Sequence, residues 1–387
     1  MAEPESHPDR VFISGMGIMT SLADNVEELA QTAAALNVVR RTEQPTRTVP
    51  RGLSLLPPFD MADFLDTQRP YLDTQSRCAL AAGALALDSA AVEPDEVNPL
   101  RCGLYYANAL GNLDTLATFS RTVEQKGMRL ASPVLFSHAY PNATASLLAI
   151  EFALAGVNHN FCGGRLCGAE ALQGALMALD AGQADLILTG GADAAPPELL
   201  ERMWQHSPDE LPPGQAAALL VLETQDSVER REGYAFCELA SVVCMGTGGD
   251  RSATGIAAAL RAAVEGAIAE AGLWNGDVAL VFRCGAPSKA SAIAEAERSA
   301  LEHFSQVPTT GASQFVGNTF AASFPLEVAL AAEALSASRV PADVVLWRET
   351  QGVQIWVEGH PEPMLGAAAL VVGCTPEMAA AAVLVAM

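Results

Sequence analysis

The chain runs through two apolar rhythms. Short runs of consecutive apolar residues have strand length: Val11–Thr20 (VFISGMGIMT), Cys102–Ala107 (CGLYYA), Ala184–Asp193 (ADLILTGGAD), Gly214–Glu223 (GQAAALLVLE), Phe236–Met245 and Val278–Phe282. The first reads as a strand that breaks into a Gly-x-Gly turn at Gly15–Gly17, and further strands are expected near Val353–Val357 and Ala367–Val372. Longer segments repeat at helical spacing: Gln75–Ala90, Asn112–Val123, Ala143–Leu154, Ala169–Leu179, Ala253–Ala271, Ala290–Phe304 and Thr319–Leu335. In Asn112–Val123, residues Leu113, Leu116, Ala117 and Ser120 share one face. Another helix starts near Asp24 or Asn25, with Glu27 and Glu28 where the helix dipole favours them. Arg40–Phe59 carries several prolines and reads as an irregular excursion. Strands that are apolar throughout, alternating with helices, predict a layered α/β fold. No internal sequence repeat is evident by eye. The charged stretch Thr224–Tyr234 either separates two halves or is an ordinary surface loop.

Composition sharpens this picture. Half of the 387 residues are hydrophobic and 17% are charged, which suits a large core with surface left over for a subunit interface. With 45 acidic against 22 basic residues the net charge is −23, so nucleic acid and anionic membrane surfaces are poor partners. No apolar run is long enough to cross a membrane, the tail EMAAAAVLVAM included. The polar opening MAEPESHPDR does not read as a signal peptide. The eight cysteines are scattered and form no Cys-x-x-Cys pair, which points to reduced thiols in a cytoplasmic protein. Cys162 and Cys167 lack two further ligands nearby, and Thr247–Gly255 (TGGDRSATG) matches neither a phosphate loop nor a dinucleotide fingerprint, so neither a metal nor a cofactor is expected.

One stretch carries the chemistry. Phe161–Leu172 (FCGGRLCGAEAL) reads as a strand end, a tight glycine turn and the first turn of an apolar helix. That arrangement presents a nucleophile at a helix N-terminus, yet the residue at its tip is Arg165. Cys167 falls inside the first helical turn and reads as a packing residue; Cys162 falls earlier, on the strand.

Four separated motifs resemble β-ketoacyl synthases of the thiolase superfamily: VFISGMGIMTSL, ASPVLFSHAYPNATASLLAIEFALAGVN, GAEALQGALMALDAGQADLILTGGAD and GQAAALLVLE, in order over nearly the whole chain. The resemblance implies a thiolase-like α-β-α-β-α fold of two similar halves, residues 1–230 and 231–387. It also implies a nucleophilic cysteine, two histidines and a lysine. At those positions this sequence has Arg165, Cys284 (in RCGAPSK), Asn318 (in VGNTFAAS) and Ser313, and the glycine-rich gating loop has become EPMLGAAA. A guanidinium forms no thioester, and a thiol is a weak donor where an imidazole would be a strong one.

The substitutions make the chain resemble the catalytically inactive chain length factors of type II polyketide synthases. This implies a chain that is not an enzyme on its own. It would form a heterodimer with a catalytic ketosynthase and shape the tunnel for the growing acyl chain, and acyl carrier protein would dock mainly on that partner. The alternatives are a divergent synthase or acyltransferase using another residue, and a homodimeric acyl-binding protein. By the same resemblance Leu113, Leu116, Phe119 and Ser120 line the tunnel, where plain core packing is the competing reading. Val134, Phe136, His138, His159, Phe161 and Cys162 lie at the subunit interface. Arg165 is expected to plug the old pocket by pairing with a nearby acid.

Overall fold

A computed structural model describes residues 10–31, 52–66, 71–93, 97–206, 211–284, 291–336, 346–350, 353–357 and 367–387. Strand β1 (Val11–Met19) is followed by α1 (residues 26–31) and α2 (Thr74–Ser89). Then come β2 (Cys102–Asn108), α3 (Leu113–Lys126), α4 (Pro133–His138), α5 (Ala143–Glu151) and β3 (Asn158–Cys162). Helix α6 (Cys167–Asp180) leads to β4 (Leu186–Asp193), α7 (Pro197–His206), β5 (Ala216–Thr224) and α8 (Gln225–Arg230). The second set is β6 (Cys237–Gly246), α9 (Ala253–Glu270), β7 (Val278–Arg283), α10 (Ala292–Ala300), β8 (Thr309–Thr310), α11 (Ser313–Val316) and α12 (Ser323–Ser336). It ends with β9 (Leu346–Thr350), β10 (Val353–Val357), β11 (Ala368–Cys374) and β12 (Met378–Val385).

The topology repeats although the sequence does not. In the first set the order is β3-β2-β4-β5-β1; in the second it is β8-β7-β11-β12-β6. Each set pairs parallel, parallel, antiparallel, antiparallel along that order. The two sets meet where Phe12 and Ile13 of β1 pair with Glu238 and Cys237 of β6. The two sets differ at their outer edges. The outer edge of β8 is covered by the β9–β10 hairpin, whereas no strand among the described residues covers the outer edge of β3.

The apolar clusters show the layers. Along β5, Ala218, Leu220 and Leu222 face a central core built on α6 and α12, while Ala217, Leu219 and Val221 face an outer core built on α2 and α5. On β12, Ala380, Ala382 and Leu384 face the same central core, and Ala379, Ala381 and Val383 face a third core under α9 and α10. Both sheet faces are covered, so the strands are apolar throughout. The layers run α2/α5, sheet, α6/α12, sheet, α9/α10, which is the α-β-α-β-α order that the resemblance implies.

Some expectations need correction. Gly15 and Gly17 do not break β1 into a turn; they are strand residues on which α2 lies. A Cβ on Gly15 would sit 2.2 Å from the Ala86 carbonyl oxygen, and one on Gly17 2.0 Å from that of Ala82. The tail EMAAAAVLVAM forms β12, a central strand. Alanine is a weak strand former, but here small residues let helices pack close on both faces. Thr224–Tyr234 contains α8, fastened by a buried ion pair between Glu223 and Arg231 at 2.7 Å. Most of Arg40–Phe59 lies outside the described residues. The expected helix at Thr319 begins instead as a single 3-10 turn, Phe320–Ala322, before α12. Among the described residues no helix is long and apolar enough to cross a membrane.

Candidate functional site

Strand β3 ends at Cys162, and after four intervening residues α6 begins at Cys167. The turn is closed by Gly163 N–H donating to the Asn108 carbonyl (3.2 Å) and Cys167 N–H donating to that of Gly164 (3.1 Å). Gly168 in the first turn of α6 lets it run against the Phe320–Ala322 turn, since a Cβ there would meet the Ala321 carbonyl oxygen at 2.2 Å. The start of α6 is therefore wedged between the two strand sets.

Arg165 reaches across that seam. Its Nη2 donates to the Cys284 carbonyl at 3.1 Å, just past the end of β7. Its Nε is buried and has no acceptor among the described residues. Among the described residues no carboxylate forms an ion pair with Arg165. Cys284 is buried, and burial pushes its thiol up to about 12 against the pull of the Arg165 guanidinium; the Ser323 hydroxyl also bonds it. The rest of its loop, residues 285–289, lies outside the described residues, as do residues 362–366 of EPMLGAAA.

Ser313 lies at the start of α11, where its N–H and that of Ala312 converge on Glu327 Oε1 at 3.4 and 2.7 Å. The Glu327 carboxyl is fully enclosed, its Oε2 has no hydrogen-bond partner among the described residues, and burial pushes it up to about 8. The Asn318 side chain turns to its own backbone: Oδ1 accepts from Phe320 N–H at 3.1 Å. Phe320 is held at φ 49°, a left-handed conformation that costs a bulky residue energy. Arg165, Cys284, Ser323 and Glu327 thus form one cluster, with Ser313 at its border. Asn318 makes no hydrogen bond to any of them.

Two important residues escaped the sequence reading. Glu327 is one; its signal was a lone acid on an otherwise apolar helix face. The other is Asp193, the last residue of β4. Its buried carboxylate accepts from Ala109 N–H (3.0 Å), Leu110 N–H (2.8 Å) and Ala321 N–H (2.9 Å). It locks the loop before α3 to the turn before α12. Burial pushes it up to about 6, against the backbone donors.

The expected tunnel and interface residues are exposed or half-buried in the single chain. Within α3 only Thr115 is buried, although Leu113 packs beside Leu200 and Phe320. Leu116 is 43% exposed, and Ser120 is exposed. Phe119 stacks on Phe136 of α4 (5.4 Å), and Phe136 on Tyr140 (5.1 Å). Val134 is exposed beside them and His138 is half-buried. On β3, His159 and Phe161 lie beside Tyr105, with ring centroids at 4.8 and 6.1 Å. Cys162 is exposed and accepts from Asn160 Nδ2 at 2.9 Å. Cys167 is buried and its thiol is pushed well up by desolvation, so it is a packing residue.

Comparison with known proteins places this geometry. The profile of the β-ketoacyl synthase N-terminal domain matches residues 8–204. The 3-oxoacyl-[acyl-carrier-protein] synthase 2 of Vibrio cholerae is 24% identical over an alignment covering 91% of this chain and 92% of that protein. Among solved structures, the ishigamide ketosynthase/chain length factor superposes with TM-score 0.80 at 17% identity, covering 98% of this chain and all of that one. A type II polyketide acyl-carrier protein in complex with its ketosynthase gives TM-score 0.76 at 16% identity, with 98% and 100% covered. The relatives correct one expectation. The four substituted positions led us to expect a chain that is not an enzyme on its own, whereas proteins aligned along most of its length are named as synthases. The match across the first strand set, the repeated strand order and the helix-borne turn at Arg165 agree: this chain belongs to the β-ketoacyl synthase family.

Proposed function

We propose that this chain is a subunit of a β-ketoacyl-synthase complex that elongates acyl chains held on acyl carrier protein, and that it pairs with a ketosynthase-fold partner across β3. The observation that carries this reading is the asymmetry of the two strand sets. Edge strands with unpaired N–H and C=O groups are normally covered or blunted. The β9–β10 hairpin does this for β8, and no strand among the described residues does it for β3. Helices α3 and α4 also carry an apolar surface that includes Leu116, Phe119, Val134, Phe136 and Tyr140, of the kind that marks an interface.

In this reading the partner covers α3 and α4, and α3 becomes a wall of the shared acyl tunnel. The ketosynthase/chain length factor and the ketosynthase–carrier complex among the solved structures support an assembly of this kind. At −23 the chain is a poor docking surface for an acidic carrier protein, so the carrier approaches mainly through the partner. Co-expression with a ketosynthase from the same genome, followed by size exclusion and a condensation assay with malonyl carrier protein, tests the proposal. A stable pair that condenses supports it. A chain that elutes without the ketosynthase in every preparation refutes it.

A second reading rests on Cys162. It is an exposed thiol three residues from Arg165, accepting a hydrogen bond from an amide. There the chain itself accepts an acyl group on that sulfur. Acyl-enzyme detected by mass spectrometry in the purified chain, and lost in Cys162→Ala, would favour it.

A further inference from the structure

The two strand sets fill the space beside their parallel strands differently. In the first set α5, which leads into β3, presents Leu147 and Leu148 to the core that also holds Leu104 and Tyr106 of β2. Its counterpart α10, which leads toward β8, presents Ala296 and Ala300 to the core under β7. Between α10 and the strands β7 and β8 lies a cavity of about 260 Å³ that opens at the surface. Strand β7 separates it from the Arg165 cluster: Val281, which lines the cavity, belongs to the outer core, whereas Phe282 and Cys284 belong to the central one. The cavity has apolar walls, Val281, Leu301, Phe304 and Val307. At its floor Arg283 is paired with Glu297, their side chains 13% and 1% exposed. At its mouth stand Arg298 and Glu302, both exposed. Packing alone does not call for the floor pair, because two apolar side chains would fill that layer with no charge to desolvate.

We propose that this cavity binds an apolar α-amino acid as its zwitterion. Ligand sites join a largely apolar wall to a few placed polar groups, and this cavity has that division. Charge selects the class. The lining carries two guanidinium and two carboxylate groups, so it is locally neutral and offers both signs. A simple carboxylate would approach against the field of a chain at −23 and leave Glu302 unanswered; a simple amine would leave Arg298 unanswered. A zwitterion meets both and carries no net charge. Its carboxylate matches the fork of the Arg298 guanidinium, its ammonium faces Glu302, and its side chain lies against Leu301, Phe304 and Val307. Because Arg298 and Glu302 are exposed, exchanging their contacts for those of a ligand costs little. The assignment does not depend on the synthase-complex reading.

The test uses the purified full chain alone. L-leucine is titrated by calorimetry and thermal melting at fixed ionic strength, beside three truncated analogues. Isocaproate lacks the ammonium group, isoamylamine lacks the carboxylate, and glycine lacks the side chain. Leucine is expected to saturate and to raise the melting midpoint by about 1–3 °C at about ten times its Kd, and each analogue to bind at least about tenfold more weakly. Arg298→Gln should weaken leucine about tenfold and leave isoamylamine unchanged, while Glu302→Gln should weaken leucine and leave isocaproate unchanged. Both positions are exposed, so the variants keep the fold. Leucine that fails to saturate, an analogue that binds as tightly as leucine, or undiminished leucine binding in both variants would each overturn the assignment. No ketosynthase enters this experiment, so its failure leaves the subunit pairing standing on its own test.

Discussion

Arg165 Nη2 bonds the main-chain carbonyl of Cys284 at 3.1 Å, so a side chain from the turn after β3 touches the end of β7 in the other strand set. The bond contributes about 1 kcal/mol, and desolvation of the unpaired charge opposes it. Arg165→Ala should therefore change stability by less than about 1 kcal/mol in urea unfolding. A loss above about 3 kcal/mol would mean that the arginine is a structural strut.

Glu327 makes stability fall as pH rises. Its folded value, about 8, lies above the ordinary carboxylate value of about 4.3. Between these values the folded chain holds a proton that the unfolded chain has released, and each pH unit costs about 1.4 kcal/mol. Glu327→Gln keeps the shape and removes the titration. Denaturant midpoints at pH 5.5 and 8 should converge for the variant and diverge for the native chain. Parallel curves would show that Glu327 is ionised throughout.

Asp193 holds three backbone N–H groups from two loops that are distant in sequence. Asp193→Ala leaves these donors buried and unpaired, at about 3 kcal/mol or more in total. Asp193→Asn should retain part of that stability. Hydrogen exchange at Ala109, Leu110 and Ala321 should quicken together in the alanine variant; exchange unchanged at Ala321 would show that the two loops are not coupled.

Gly17 is fixed by contact, not by turn chemistry. Gly17→Ala brings a methyl to 2.0 Å from the Ala82 carbonyl oxygen, so α2 must shift. The expected cost is about 1–3 kcal/mol, measured by chemical denaturation. A neutral result would mean that β1 and α2 are more widely spaced.

Leu116 and Ser120 lie on the exposed face of α3. In the complex with a ketosynthase, Leu116→Ala should lengthen the acyl product and Ser120→Phe should shorten it, read by mass spectrometry of released chains. An unchanged product distribution from an intact complex would remove α3 from the tunnel wall.

The layers were legible because both faces of most strands are buried. Runs such as Ala216–Thr224 and Leu186–Asp193 are apolar without alternation, and that pattern marks a sheet covered on both sides. Gly15 and Gly17 misled because a glycine pair signals a turn as readily as a close helix contact, and only the position of Ala82 and Ala86 separates the two. Strand β12 was hidden by its alanines. The turn at Arg165 was readable from its glycines and the apolar helix behind it. Its surroundings were not, because Glu327 and Asp193 act through backbone N–H groups distant in sequence or on another segment, which leave no spacing signal. Leu116 shares the apolar face of α3 by spacing, and Leu116 and Phe136 both lie exposed in the isolated chain.

The central claim is that β3 pairs with a ketosynthase. Hydrogen–deuterium exchange of the backbone amides of Asn158–Cys162, with and without a co-purified ketosynthase, measures it directly. The account predicts slow exchange at those amides, and at α3 and α4, when the partner is bound, and fast exchange in the free chain at the β3 amides that point away from β2. A stable complex in which Asn158–Cys162 exchange as fast as in the free chain would contradict it.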